Sequence, residues 1–135
     1  MTVADDNKQI VREVFVGLAA GDSRPFLARL ADDVRWTVRG RTPWSKTYVG
    51  KPSVLADLLV PLGARLADRY RATADLVLAD GDHVVVAARG QAKTRSGLAY
   101  DNEYCFIYRL AGGRITEVTE YLDTELVTEV LGGGD

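Results

Sequence analysis

The stretch EYLDTEL, residues 120–126, puts a carboxylate where a strand should run. GGRITEVT ahead of it reads as a tight turn and then a strand, so Glu120 shares a strand face with Val118 and Leu122. Either that face is wet, or the glutamate is held in an apolar pocket. In the second case desolvation disfavours the charged form and lifts the carboxyl into the range where it can take and return protons. The other reactive residue types are scarce. His83 is the only histidine and follows an ADGD turn at a strand start. Cys105 is the only cysteine, and no His or Asp partner marks it as a nucleophile. One His and one Cys leave no metal-ligand cluster of the usual spacing. There is no GxxxxGK followed by Ser or Thr, no strand-linked GxGxxG and no GxSxG elbow. The expectation is therefore no nucleotide, flavin or metal cofactor.

The elements that would position Glu120 follow from periodicity. Residues 6–20 carry Ile10, Val11, Val14, Phe15 and Leu18 at helical spacing, with Gly21 as a stop. Ser23 can cap a second short helix that has Pro25 in its first turn and Phe26, Leu27 and Leu30 on its buried side. Residues 32–38 read as a strand with Val34, Trp36 and Val38 on one face. A loop over 39–52 allows a short strand at 46–49. A helix over 53–68 follows, bent by Pro61. Four long strands, 70–79, 83–94, 99–110 and 114–123, are separated by ADGD, RSG and AGG turns. TELVTEVL can close the chain as a short helix capped by Asp123, ahead of a GGGD tail expected to fray. Helices first and long antiparallel strands after predict an α+β fold in one domain over 1–135.

The bulk properties narrow the partners. The chain has 135 residues, 47% hydrophobic and 27% charged, enough for one core without staples. A formal charge of −2 gives no electrostatic case for nucleic acid or an anionic membrane. No apolar run is long enough to span a bilayer. The N-terminal residues lack a signal-peptide pattern, and one cysteine suits a reducing compartment, so a cytoplasmic location is expected.

Four segments carry a resemblance: AAGD (19–22), LADDVRW (30–36), YVGKPSV (48–54) and YDNEYCFIYRLAGGRITEVTEYLDTEL (100–126). In order and spacing they resemble the SnoaL-like branch of the NTF2-like superfamily, which includes ketosteroid isomerases, limonene epoxide hydrolase and polyketide cyclases. The resemblance implies a cone-shaped curved sheet, mostly antiparallel, packed on helices around a deep pocket, often in a homodimer. In the epoxide hydrolase the residue matching Glu120 points into the pocket as a catalytic carboxylate. That register implies an inward set of Trp36, Val38, Ala87, Arg89, Gln91, Asn102, Tyr104, Phe106, Val118, Glu120 and Leu122. Glu103, Cys105 and Tyr121 would point out, with Cys105 buried under a helix or interface.

The resemblance does not carry over the known chemistries. The epoxide hydrolase's charged positions match Ala87, Arg89 and Glu120, so a single carboxylate survives, and its water-holding positions match Trp36 and Val38. The steroid isomerase's base and donor match Val38 and Val14, which can do neither task. The layout is nearer a polyketide cyclase. The expectation is a pocket for a small hydrophobic organic molecule and cofactor-free isomerase- or cyclase-like proton transfer. Glu120 and Arg89 are the candidate catalytic residues. Trp36, Val38, Gln91, Asn102, Tyr104, Phe106, Val118 and Leu122 are the candidate substrate-binding ones. Arg89 either pairs with Glu120 or polarises an enolate oxygen. Trp44 and Tyr48 can close the mouth, and Arg65, Arg69 and Arg71 read as a solvated helix face and strand entry. The alternative is a non-catalytic binding or dimerisation module of the same fold.

Overall fold

Two-residue hairpins need central residues at positive φ, and Gly112 and Gly113 supply them at φ 58° and 78°. They join the strands β5 (Glu103–Ala111) and β6 (Arg114–Leu122). The computed structural model describes residues 2–132; of the GGGD tail, residues 133–135 lie outside the described residues. The remaining strands are β1 (Leu30–Val38), β2 (Thr47–Val49), β3 (Arg71–Asp80) and β4 (His83–Gln91). They form one curved, unclosed sheet in the order β2-β1-β6-β5-β4-β3, with β1 and β6 parallel and every other neighbour antiparallel.

Helix α1 (Val3–Ala19) begins at a capping box between Thr2 and Asp5 and buries Val11, Val14, Phe15 and Leu18 against the sheet. Helix α2 (Arg24–Arg29) starts one residue after Ser23, whose hydroxyl makes no capping bond. Asp22 does this work instead, accepting the Arg24 N–H at 3.1 Å. Leu30, expected on the buried side of this helix, opens β1 and is fully buried there.

The long helix runs over 51–65 rather than 53–68. It comprises α3 (Lys51–Ser53), a π-helical stretch π1 (Val54–Leu59) and α4 (Val60–Arg65). Pro61 explains the wide turns. It has no N–H to give, and its ring would strike the carbonyl four residues back, so the helix opens to i−5 bonding just ahead of it. Leu66 then leaves the helix to bridge Thr94. The chain ends in α5 (Thr124–Leu126) and a second π stretch, π2 (Val127–Leu131); Asp123 caps it by accepting the Leu126 N–H at 3.1 Å.

Strand register decides which side chains face the helices. Tyr104 sits opposite Leu122, Phe106 opposite Glu120 and Tyr108 opposite Val118, all on the inner face. The same parity crosses into β4, where Val86 pairs with Phe106 and Ala88 with Tyr104. Val84, Val86 and Ala88 are therefore buried, whereas Ala87, Arg89 and Gln91 lie on the other face. This reverses the expected inward set on β4 by one residue.

Candidate active site

One cavity of about 950 Å³ lies between the inner sheet face and the helices. The sheet contributes Trp36, Val38, Tyr104, Phe106, Tyr108, Glu120 and Leu122. Opposite them, π1 and α4 turn Leu55, Leu58, Leu59 and Leu62 inward, and π2 adds Val127 and Leu131. Trp44 closes part of the wall; Tyr48 stands behind it and donates to the Trp44 carbonyl at 2.8 Å. Such a volume accommodates a small organic molecule.

Glu120 is the only carboxylate on the sheet wall of this cavity among the described residues, and it is 8% exposed. Val38 on β1 is its parallel neighbour and Phe106 on β5 its antiparallel one, so apolar groups flank it on both strands. Its hydrogen-bond donor is Trp36, whose indole Nε1 lies 2.9 Å from Oε1. Trp36 is itself held edge-on by Phe26, with ring centroids 5.7 Å apart. Burial pushes the Glu120 carboxyl from 4.5 up to about 7, and the indole bond opposes that rise without cancelling it. A carboxyl poised there can serve as a base when ionised and as an acid when protonated, both within reach of neutral pH.

Tyrosines crowd this carboxyl. Tyr104 and Phe106 stack with centroids 4.9 Å apart, and Phe106 and Tyr108 at 5.6 Å. Tyr70, just ahead of β3, meets Tyr104 edge-on at 6.3 Å. The two hydroxyls converge over Gly90: a Cβ there would lie 2.8 Å from Tyr70 Oη and 3.3 Å from Tyr104 Oη. Burial raises the phenol pKa of Tyr70, Tyr104 and Tyr108, and pushes Tyr100 up to about 12, with the charge of Glu120 adding to each. All four therefore stay protonated and remain hydrogen-bond donors at neutral pH.

Other expected site residues are placed differently. Arg89 is on the outer face, bidentate to Asp75 on β3 at 2.8 and 2.9 Å, and opposite Glu103 on β5. It neither pairs with Glu120 nor reaches the cavity. Gln91 is exposed on that same face. Asn102 is buried but structural: its Oδ1 accepts the N–H groups of Glu103 (2.7 Å) and Asp123 (3.0 Å). Its Nδ2 donates to Tyr100 Oη and the Asp123 carbonyl, both at 3.2 Å. It thus ties the start of β5 to the end of β6. Val118 is buried on the inner face beside the cavity residues. Cys105 points outward as expected, but it is exposed rather than covered. His83 is also outside, with Nδ1 2.7 Å from Asp82. Glu103 and Tyr121 face outward as expected.

Sequence reasoning passed over Tyr70, Tyr100 and Tyr108 as site residues. For Tyr108 the signal was present, since Tyr104, Phe106 and Tyr108 alternate on one strand. Nothing local marked Tyr70, because it reaches the cavity only through the pairing of β3 with β4.

A curved α+β sheet over such a cavity defines a class, and the comparisons agree. Residues 11–118 match the SnoaL-like domain, and the chain belongs to that family. An uncharacterised protein of Mycobacterium tuberculosis strain H37Rv is 28% identical over 125 residues, covering 93% of this chain and 95% of its own. An NTF2-like protein of unknown function from Burkholderia pseudomallei K96243 superposes with a TM-score of 0.78 at 24% identity, covering 93% of this chain and 96% of that one. A candidate SnoaL-like polyketide cyclase from Jannaschia sp. CCS1 gives 0.78 at 18% identity, over 98% and 95%. The fold is thus NTF2-like. No helix among the described residues is long and apolar enough to cross a membrane.

Proposed function

We propose that the protein catalyses cofactor-free proton transfer on a small, largely apolar carbonyl compound, as an isomerase or cyclase. The observation that carries this reading is the Glu120 carboxyl: buried in the cavity wall, bonded by one indole N–H, and poised at about 7. Ionised Glu120 takes a proton from the carbon next to a substrate carbonyl. The electron pair moves onto the carbonyl oxygen, where the hydroxyl of Tyr104 or Tyr70 donates to the developing negative charge. Protonated Glu120 then returns the proton to another carbon, which completes an isomerisation. If the enolate carbon instead attacks a second carbonyl of the same molecule, the product is a ring and the proton goes to the new alkoxide. The aromatic and leucine walls exclude water and hold the substrate by area. Arg89 has no part in this.

Deuterium exchange tests the reading without knowledge of the natural substrate. Cyclic and aromatic ketones with acidic α-hydrogens are incubated with the protein in D2O and followed by NMR. Exchange by the wild type that disappears in Glu120→Gln, with the fold retained, is the expected result. Exchange that persists in Glu120→Gln rejects Glu120 as the proton carrier. A wild type that retains a small molecule in native mass spectrometry yet exchanges none of the panel supports a carrier instead.

A further inference from the structure

We infer that the mouth of the cavity is an anion-binding subsite, and that the ligand reaching Glu120 is amphipathic: an apolar body ending in a carboxylate-, sulfonate- or phosphate-type anion. This deepens the proposed function and rests on its premise that the cavity takes up a ligand. The cavity meets solvent where exposed or part-exposed residues line it, at Asp22, Arg24, Asp68 and Arg69. The two acids there are already engaged. Asp22 is held by the Arg24 guanidinium at 2.9 and 3.0 Å, and that bond keeps its carboxyl down at about 2. Asp68 accepts the backbone N–H of Arg69 at 2.7 Å.

Two guanidinium groups remain. Neither Arg69 nor Arg71 makes an ion pair within 4 Å among the described residues, although the charge of Arg69 is near enough to Asp22 to help hold that carboxyl down. Arg69 lines the mouth directly. Arg71 lies against Gly21, another lining residue: a Cβ on Gly21 would come within 3.2 Å of the Arg71 guanidinium, so the glycine leaves room for it. Three arginines against two aspartates give this rim a formal charge of +1, on a chain whose formal total is −2. Inside, Tyr, Trp, Phe and Leu side chains dominate, and among the described residues no cation lines the wall beside Glu120. An anionic ligand group is therefore excluded from the interior by desolvation and finds planar, bidentate partners only at the mouth. Arg65 is not part of the subsite; it packs over the Trp44 ring and donates to the Leu131 carbonyl.

The test compares two fluorescent probes that differ by one anionic group: anilinonaphthalene sulfonate and its uncharged parent without the sulfonate, N-phenylnaphthylamine. Both tryptophans of the chain, Trp36 and Trp44, line the cavity, so transfer of their emission to the probe reports uptake. The expected result is at least about tenfold tighter binding of the sulfonate by the full-length wild type, reduced by added salt. The double variant Arg69→Glu/Arg71→Glu then loses that preference while binding the parent unchanged, which also reports that the fold is intact. The single variant Arg69→Gln gives an intermediate preference and serves if the double variant does not fold. Equal binding of the two probes by the wild type overturns the inference, as does a preference that survives the arginine substitutions. Failure of both probes to enter the wild type overturns the ligand-site premise as well, so the two failures are distinguishable.

Discussion

Replacing Glu120 by Gln should change stability in a pH-dependent way, and the size follows from the site. Glu120 titrates at 4.5 when unfolded and at about 7 in the folded protein. The folded state therefore binds this proton more tightly than the unfolded state. Below pH 4.5 both states are protonated and the carboxyl costs nothing. Between 4.5 and 7 the unfolded chain releases its proton first, so the wild type loses stability as pH rises. Above 7 the loss is complete. It amounts to about 3 kcal/mol, from roughly 2.5 pK units at 1.36 kcal/mol each. Gln cannot ionise, so Glu120→Gln escapes the loss. Urea unfolding followed by circular dichroism at pH 4, 5.5, 7 and 9, with both proteins in the same buffers, cancels every other titration. The stability of the variant relative to wild type should rise by about 3 kcal/mol from the lowest pH to the highest, with no segment steeper than about 1.4 kcal/mol per pH unit. A difference that stays constant across the series refutes the buried, uncompensated carboxyl. The gain in stability from a substitution that removes activity would mark Glu120 as a residue kept at the expense of the fold.

Other substitutions probe the surroundings of this carboxyl. Trp36→Phe removes the donor that stabilises the ionised form, so the pH at which activity rises should move up by one to two units, as expected for a charge-assisted bond of about 1.5–3 kcal/mol; an unmoved profile contradicts the role of the indole. Gly90→Ala places a methyl 2.8 Å from Tyr70 Oη and 3.0 Å from Tyr104 Cε2, so it should cost about 1–3 kcal/mol in urea unfolding and lower kcat by displacing the two hydroxyls. Arg89→Ala breaks an exposed ion pair with Asp75 and should change stability by less than about 1 kcal/mol, with kcat and KM unaltered. A large loss of activity in Arg89→Ala would return that residue to the site.

Parity put Val118, Glu120 and Leu122 on one face of a strand and Val34, Trp36 and Val38 on one face of another, but only the family resemblance chose that face as the inner one. That Trp36 would bond Glu120 was not readable, since it depends on β1 and β6 lying side by side in parallel across 84 residues of sequence. The error on β4 has a clear source. In VVVAARGQ the polar residues Arg89 and Gln91 share one parity and Val84, Val86 and Ala88 the other, which by itself argues for polar side chains outward. Matching β4 to a relative's catalytic positions overrode that pattern by one residue, and a slip of one reverses every side chain on a strand. Asn102 was expected to line the pocket; it is buried but not among the cavity-lining residues, and its partners are chiefly backbone groups at the strand ends, which residue type alone does not reveal. Pro61 signalled an irregular helix but not that the irregularity would be a six-residue stretch of π geometry over the cavity. Arg69 is exposed, in keeping with a solvated group; that Gly21 would lie against Arg71 and Asp22 near Arg69 was not readable, because those residues come from a distant stretch of the sequence.

The central claim is that Glu120 carries a proton at neutral pH inside the cavity. Carbon-13 NMR of the wild type labelled at glutamate Cδ, with Glu120→Gln used to assign the resonance, measures that directly. A midpoint at about 7, well apart from the exposed glutamates, is the predicted result. A midpoint at or below the ordinary value of 4.5 would mean that the carboxyl is wet or charge-paired, and would contradict the claim.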